Sequence, residues 1–155
     1  MARAESGEVI QPADVLLYRA NSVFGRIIGI KTWSNIAHVE VSLGGGESAA
    51  SRDGQGVGRY PHRSADLAHV LRPVQPVDLA AALRWFRTME GEPYGWLDLL
   101  AFVGWTGDAR GVVCSPFATQ FLRAGGLPIF NGYPHNKIAP CYFLVSELLT
   151  DVSPT

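Results

Sequence analysis

Short segments in which apolar and polar residues alternate occupy the first half of the chain. Successive residues of a β-strand point to opposite faces of the sheet, so this alternation favours strands with one buried face. Gly, Pro, Asn or Asp separates the segments, as is typical of strands joined by turns. The pattern predicts five strands, at 14–20, 37–43, 47–52, 56–62 and 68–74. Gly44–Gly46 is the predicted three-residue hairpin connection between the second and third strands.

The second half of the chain carries helical patterns instead. The segment "VDLAAALRWFRTMEG" predicts a helix with Asp78 as its N-cap and Gly91 as its C-terminal stop. The apolar stripe of this helix consists of Leu79, Leu83, Phe86 and Met89. A second helix is predicted over residues 94–103.

A third helix is predicted over "SPFATQFLRAGG", directly after Cys114. Ser115 is its predicted cap, Pro116 its first helical residue, and Gly125–Gly126 its end. The tail "APCYFLVSELLTD" predicts a last short helix. A strand-rich half followed by a helical half predicts the α+β class, with helices packed on an antiparallel sheet.

Composition narrows the class of protein. A chain of 155 residues, of which 47% are apolar and 17% charged, predicts one compact globular domain over 1–155. The net charge is −1 and no dense Lys/Arg run occurs, so nothing suggests a nucleic-acid partner. The start "MARAESGEVIQPAD" lacks the apolar run of a secretory signal, and "WLDLLAFVGW" is too short to span a bilayer. We therefore expect a protein that is cytoplasmic as synthesised, with no transmembrane segment.

The chain has two cysteines, Cys114 and Cys141. Without a signal peptide, free thiols are expected rather than a disulfide. Neither cysteine has a second cysteine or a histidine at metal-ligand spacing, so we expect no metal and no cofactor. Cys141 lies in the apolar stretch "APCYFLV" and is predicted to be a core residue.

Cys114 lies where a reactive thiol would be favoured. The free N–H groups and the dipole of a helix start lower the pKa of a thiol, and the thiolate is the nucleophile. The same N–H groups could hold an oxyanion at an adjacent carbonyl. The alternative is that Cys114 is a small, buried apolar residue, which is the more common fate of an intracellular cysteine.

A nucleophilic cysteine needs a base, and His38 is the best candidate among the four histidines. His38 lies within a predicted strand, and Glu40 projects on the same side two residues later. The opposite, apolar face of that strand consists of Ala37, Val39, Val41 and Leu43. His62 is expected at the surface, His69 is expected to be structural, and His135 lies in a polar loop. The alternative is that His38 and Glu40 lie on the solvent-exposed face of a half-buried sheet.

The order of these features resembles a known family. Five segments of the chain resemble, in the same order, segments of the circularly permuted papain-like hydrolases. They are "ADVLLYRANS", "SNIAHVEVSLGGG", "DGQGVGRYP" with "VLRP", "GEPYGWLDLL" and "CSPFATQFLRAGG". These proteins are relatives of the NlpC-type cell-wall cysteine peptidases and of lecithin retinol acyltransferase-like proteins. In this family the histidine precedes the cysteine, whereas unpermuted papain-like enzymes have the cysteine first. The resemblance implies a permuted papain-like fold, with Cys114 as nucleophile and His38 as general base.

The third catalytic member departs from the family pattern. In the family a polar residue on the strand after the histidine's strand orients the imidazole, and here that position is Ala50. A three-residue turn would place Ala50 opposite Glu40. We therefore predict that Glu40 fills the space beside Ala50 and accepts a hydrogen bond from His38. Glu47 is the rival if the register shifts, and a bare Cys–His dyad is the remaining alternative.

Tyr94 matches a family tyrosine that precedes the cysteine and helps to shape the site. Its alternative is a core aromatic residue at the start of a helix.

The resemblance implies a cysteine hydrolase that cleaves an amide bond through a thioester. The expected substrate is a stem peptide or cross-link of bacterial peptidoglycan. Delivery by a bacteriophage particle, lysis or a dedicated secretion system would then bring the protein to the cell wall. One alternative keeps the thiol chemistry and acts on a lipid ester or thioester, by transfer or hydrolysis. Another is a non-catalytic papain-like module, in which Cys114 is buried or unpaired with His38.

Overall fold

The computed structural model describes residues 10–20, 34–93, 114–134 and 137–153. These residues form an antiparallel sheet covered by helices, which confirms the α+β class. The strands are β1 Val15–Arg19, β2 Ile36–Gly44, β3 Glu47–Arg52, β4 Gly56–Pro61, β5 Leu67–Pro73 and β6 Leu149–Asp151. The helices are α1 Leu79–Met89, α2 Cys114–Ala124 and a 3₁₀ helix at Pro140–Val145.

The sheet has the strand order β4-β3-β2-β1-β5-β6, and each pair of neighbours is antiparallel. The five predicted strands all form, and each begins and ends at the predicted residue or next to it. β2, which carries His38, is an inner strand between β1 and β3. Both of its neighbours can therefore contribute side chains beside the histidine.

The tail differs from its prediction. The sequence predicts a single short helix there, but the chain forms a 3₁₀ turn at Pro140–Val145 and then the edge strand β6. Leu149 and Asp151 pair with residues of β5. The local helical pattern is overridden because β5 would otherwise leave a row of unpaired backbone groups at the edge of the sheet.

The turn between β2 and β3 consists of Gly45 and Gly46, and Gly44 pairs with Glu47. The predicted three-residue connection is therefore wrong. Leu43 lies at a register shift on the β2 side, and this β-bulge takes up one residue. The register beyond the bulge is consequently the predicted one.

A second bulge, at Ala37, lies next to His38. Consecutive residues of β1 pair with His38 and Ile36, so Ala37 has no partner on β1. Strict alternation predicts Ala37 on the apolar face, but Ile36 takes that place and packs in the core with Val39. The bulge adds one residue to β2 just before His38, and Ala37 itself is buried, at 7% exposure.

The main core lies between the two helices and one face of the sheet. Phe86 of α1 contacts Phe117 and Phe121 of α2, with ring centroids 6.0 Å and 6.3 Å apart and steeply inclined planes. Edge-to-face contacts of this kind are favourable for aromatic rings. The core thus fixes α2, and with it the position of Cys114, against the sheet.

The start of α2 also differs from its prediction. The described part of α2 starts at Cys114 and already includes Ser115 and Pro116, so Ser115 is not the cap. The predicted helix at 94–103, Tyr94 and His135 lie outside the described residues.

The opposite face of the sheet carries a smaller apolar cluster of Ile10, Leu16, Tyr18 and Val70. Leu16 and Tyr18 of β1 pair directly with Glu40 and His38. The two ionisable side chains therefore share a face with buried apolar residues. None of the helices in the described ranges is both long and apolar enough to span a membrane.

The N-cap of α1 provides a test of how the helix is held. The Asp78 carboxylate accepts a hydrogen bond from the N–H of Ala81 at 2.9 Å, as the sequence predicts. We expect Asp78→Ala to lower the free energy of unfolding by about 1 kcal/mol in urea titrations, because an N–H of the first turn loses its partner. Asp78→Asn, which retains a capping oxygen, should leave the free energy nearly unchanged. Equal losses in the two variants would contradict the cap.

Candidate functional site

Two elements that pack against each other supply the reactive side chains. β2 carries His38 near its start, and α2 begins at Cys114 and packs on β2 and β3. The first N–H groups of a helix have no intrahelical partner, and the helix dipole is positive at this end. The sulfur of Cys114 therefore lies where negative charge is stabilised.

Among the described residues, three groups interact with the Cys114 thiol. They are the His38 imidazole, the backbone N–H of Val39 and the Ser115 hydroxyl, whose oxygen lies 3.8 Å from the sulfur. Burial raises the pKa of the thiol, but the hydrogen bond and the positive charge of His38 outweigh burial and lower the pKa. The residue is only 1% exposed.

The His38 imidazole lies between the thiol and a carboxylate. Its Nε2 donates a hydrogen bond to Oε1 of Glu40 at 3.0 Å, so Nδ1 is the nitrogen left for Cys114. Burial lowers the pKa of His38, but the hydrogen bond and charge of Cys114, together with those of Glu40, raise it to about 9. The imidazole side chain is 16% exposed.

Glu40 is fully buried, at 0% exposure, and has two partners. Arg52 of β3 donates from Nε to Oε1 at 2.7 Å and from Nη2 to Oε2 at 3.1 Å, and His38 occupies Oε1 as well. Burial raises the pKa of Glu40, but the hydrogen bonds from His38 and Arg52 and their positive charges lower it to about 2. The carboxylate is therefore ionised at neutral pH.

Arg52 is the residue of this cluster that the sequence analysis missed. Val41 pairs with Ala49 and Ser42 with Ser48, as predicted. Continued along β3, that register puts Ala50 opposite Glu40 and Arg52 opposite His38, on the face of the ionisable pair. The same strand pairing that placed Ala50 opposite Glu40 could therefore have predicted Arg52 beside His38.

The structure brings Cys114, His38 and Glu40 together, and the predicted hydrogen bond between His38 and Glu40 is present. The alternative of a solvent-exposed sheet face is wrong, because Glu40 is buried. Glu47 is exposed at the first position of β3, and its backbone oxygen accepts a hydrogen bond from His62. Glu40 is thus the carboxylate at the imidazole.

The remaining predictions concern residues outside this cluster. His69 has a structural contact, with its Nδ1 2.9 Å from a carboxylate oxygen of Asp151 on the neighbouring strand β6. Cys141 is partly buried against the main core, and both cysteines are free thiols. Within the described ranges, no group of three His, Cys, Asp or Glu side chains could hold a metal ion.

The chemistry available to this arrangement is that of a thiolate–imidazolium pair. A thiol with a lowered pKa beside an imidazole with a raised pKa favours proton transfer from sulfur to nitrogen. The ionised Glu40 then faces the positively charged ring. Such a group can attack an electrophilic carbon and can return the proton to a leaving group.

No family model matches this sequence, and no curated protein matches it either.

The charge of Glu40 should contribute to stability only above acidic pH. Its folded pKa of about 2 lies below the ordinary value of 4.5, so its stabilising contribution is complete above 4.5 and is lost as pH falls toward 2. Wild type should therefore be more stable than Glu40→Gln near neutral pH, by an amount on the order of 3 kcal/mol. The difference should shrink steadily below pH 4.5 in urea unfolding measured by circular dichroism.

Glu47→Gln is the matched control, because Glu47 is exposed and lies outside the cluster. Its stability relative to wild type should change little over the same pH range. A gap between wild type and Glu40→Gln that stays constant down to pH 3 would contradict the ionised, paired carboxylate.

Proposed function

We propose that this protein is a cysteine hydrolase that cleaves amide bonds through a thioester, with Cys114 as nucleophile, His38 as general acid and base, and Glu40 as the residue that orients the imidazole. One observation carries the proposal: the imidazole of His38 interacts with the thiol of Cys114 and donates a hydrogen bond to the buried carboxylate of Glu40. A cysteine with both partners in place has what nucleophilic catalysis needs. A merely structural cysteine has no need of either.

The first half of the reaction forms an acyl-enzyme. His38 holds the proton taken from Cys114, and the thiolate sulfur attacks the carbonyl carbon of the substrate amide. In this proposal, N–H groups of the first turn of α2 stabilise the resulting oxyanion. Collapse of this intermediate breaks the C–N bond, and the imidazolium gives its proton to the leaving amine, which leaves a thioester on Cys114.

The second half releases the acid. His38, now neutral, takes a proton from water, and the hydroxide oxygen attacks the thioester carbon. The C–S bond breaks, the carboxylic acid leaves, and the thiolate–imidazolium pair is restored. Glu40 stays ionised throughout, because its role is to hold the ring and to stabilise its positive charge.

The substrate class follows from the likeness of the sequence to permuted papain-like hydrolases. We propose that the fold is a member of that group and that the substrate is a peptide of bacterial peptidoglycan. The order of histidine strand, hairpin and cysteine helix along the chain supports this assignment. An ester or thioester of a lipid would pass through the same acyl-enzyme, so substrate assays should include both kinds of acyl group.

A non-catalytic papain-like module is the second candidate, and the burial of Cys114 favours it. Cys114 is only 1% exposed, whereas a nucleophile must be reached by its substrate. The pairing of Cys114 with His38 and the buried charge of Glu40 argue for catalysis, because a binding module gains nothing from a thiol with a lowered pKa. The two candidates make opposite predictions for activity.

Hydrolysis of peptidoglycan is the direct test. Wild-type protein incubated with purified sacculi and with soluble muropeptides should release fragments carrying a new amine and a new carboxyl group, detected by mass spectrometry. Cys114→Ala should release none, and Glu40→Gln should lower turnover by about a hundredfold without unfolding the protein. Cleavage of lipid esters or thioesters instead would keep the mechanism and change the substrate class.

Cys141→Ala is the matched control, since it removes the other thiol of the chain, which is partly buried against the main core. It should retain wild-type activity. Failure of the wild type on all three kinds of substrate, under conditions where it is folded, would favour the non-catalytic module. Undiminished turnover by Glu40→Gln would remove Glu40 from the mechanism.

A further inference from the structure

Arg52 is held more firmly than a surface arginine and is only 13% exposed. Two of its nitrogens form the paired hydrogen bonds to Glu40, and Nη2 also donates to the backbone oxygen of Pro61 at 3.0 Å. Its guanidinium carbon lies 4.5 Å from the centre of the Tyr60 ring, within range of a cation–π contact. Contacts with three residues on two strands fix the plane of the guanidinium.

The fixed guanidinium in turn fixes the carboxylate of Glu40. A bidentate arginine pair sets the orientation of the carboxylate as well as its charge, which a single ammonium group cannot do. Oε1 accepts from both Arg52 and His38, so the oxygen that meets the imidazole is the one that Arg52 holds in place. Without Arg52, the fully buried Glu40 would keep His38 as its only charged partner among the described residues, and burial would favour the protonated form of Glu40.

We propose that Arg52 is a positioning residue of this site, which acts on Cys114 through Glu40 and His38 by holding the carboxylate ionised and aligned against the imidazole. The inference deepens the proposed function, because it concerns how the same thiol is activated. Arg52 makes no contact with the sulfur in this scheme. The effect of Arg52 on Cys114 should therefore disappear when Glu40 is replaced by an uncharged residue.

Other titratable groups surround the cluster and belong to the same electrostatic environment. The ring of Tyr18 on β1 lies 6.0 Å from the His38 ring, and burial, together with the charge of Glu40, raises the pKa of the Tyr18 hydroxyl. Tyr60 of β4 feels the charges of both Arg52 and Glu40. Asp53, next to Arg52, feels the charge of His38. None of these groups bridges Arg52 to the sulfur by a described hydrogen bond.

The test is the rate of alkylation of Cys114 by iodoacetamide as a function of pH, in a Cys141→Ala background so that one thiol reacts. The rate reports the thiolate fraction and requires no substrate. We expect Arg52→Met to lower the rate at pH 7 by about tenfold and to move the acid midpoint of the profile to higher pH. The reason is that a protonated or displaced Glu40 supports the imidazolium less well, and the thiolate loses its partner cation.

A double-mutant cycle separates positioning from other effects. Adding Arg52→Met to Glu40→Gln should change neither the rate nor the midpoint further, because Arg52 acts through Glu40. Arg52→Lys keeps the positive charge but loses the bidentate geometry of the guanidinium. Its alkylation rate and acid midpoint should lie between those of wild type and Arg52→Met. Arg59→Met is the matched control: Arg59 is on β4, 42% exposed, with a 3.8 Å ion pair to Glu90, and its removal should leave the profile unchanged.

Two results would overturn the inference. One is that Arg52→Lys and Arg52→Met both show the same dependence of the Cys114 alkylation rate on pH as wild type. The other is a loss from Arg52→Met that is as large in the Glu40→Gln background as in wild type, which would mean a direct or global effect. If Arg52→Met does not fold, the alkylation profile of Arg52→Lys alone tests the inference. Failure of the proposed function looks different: folded wild type would cleave none of the substrates, while the alkylation profiles of the Arg52 variants would still differ from wild type as predicted.

Discussion

The buried carboxylate of Glu40 determines how the rest of the site is arranged. A carboxylate without access to water would give up its charge unless cations and hydrogen-bond donors surround it. His38 and Arg52 supply both, one from each side. The charge they stabilise then favours the protonated form of His38, and the protonated imidazole favours the thiolate of Cys114. The lowered pKa of the Cys114 thiol is thus linked, through His38, to the burial of Glu40.

The sheet makes this arrangement possible through its register. Antiparallel pairing places side chains of neighbouring strands on one face at close range, so β1 and β3 each present residues to the ionisable pair on β2. The bulge at Ala37 comes immediately before His38, and bulges of this kind re-aim the side chains beside them. The aromatic core between α1 and α2 fixes the helix that carries the sulfur. Separate structural features therefore position His38 and Cys114.

The sequence predicted the strands closely because their alternation reflects a sheet with one well-packed face, and Gly and Pro mark their ends. It predicted the contact between His38 and Glu40 because residues two apart on a strand share a face. It could not place β6, because the pairing of Leu149–Asp151 with β5 is a tertiary contact that overrides a local helical pattern. Arg52 was missed for a different reason: a strand-end arginine reads as solvent-exposed unless the hairpin register is followed to its end.

The protonation of His38 is the most direct measure of the thiolate–imidazolium pair on which the account depends. We predict that the His38 imidazole, followed by NMR and assigned with His38→Ala, titrates near pH 9 in the wild type. In Cys114→Ala the ring loses its largest stabilising partner, so its pKa should fall toward the ordinary 6.5. A His38 that titrates at the same pH with and without the sulfur would contradict the pair, and with it the proposal of a catalytic cysteine.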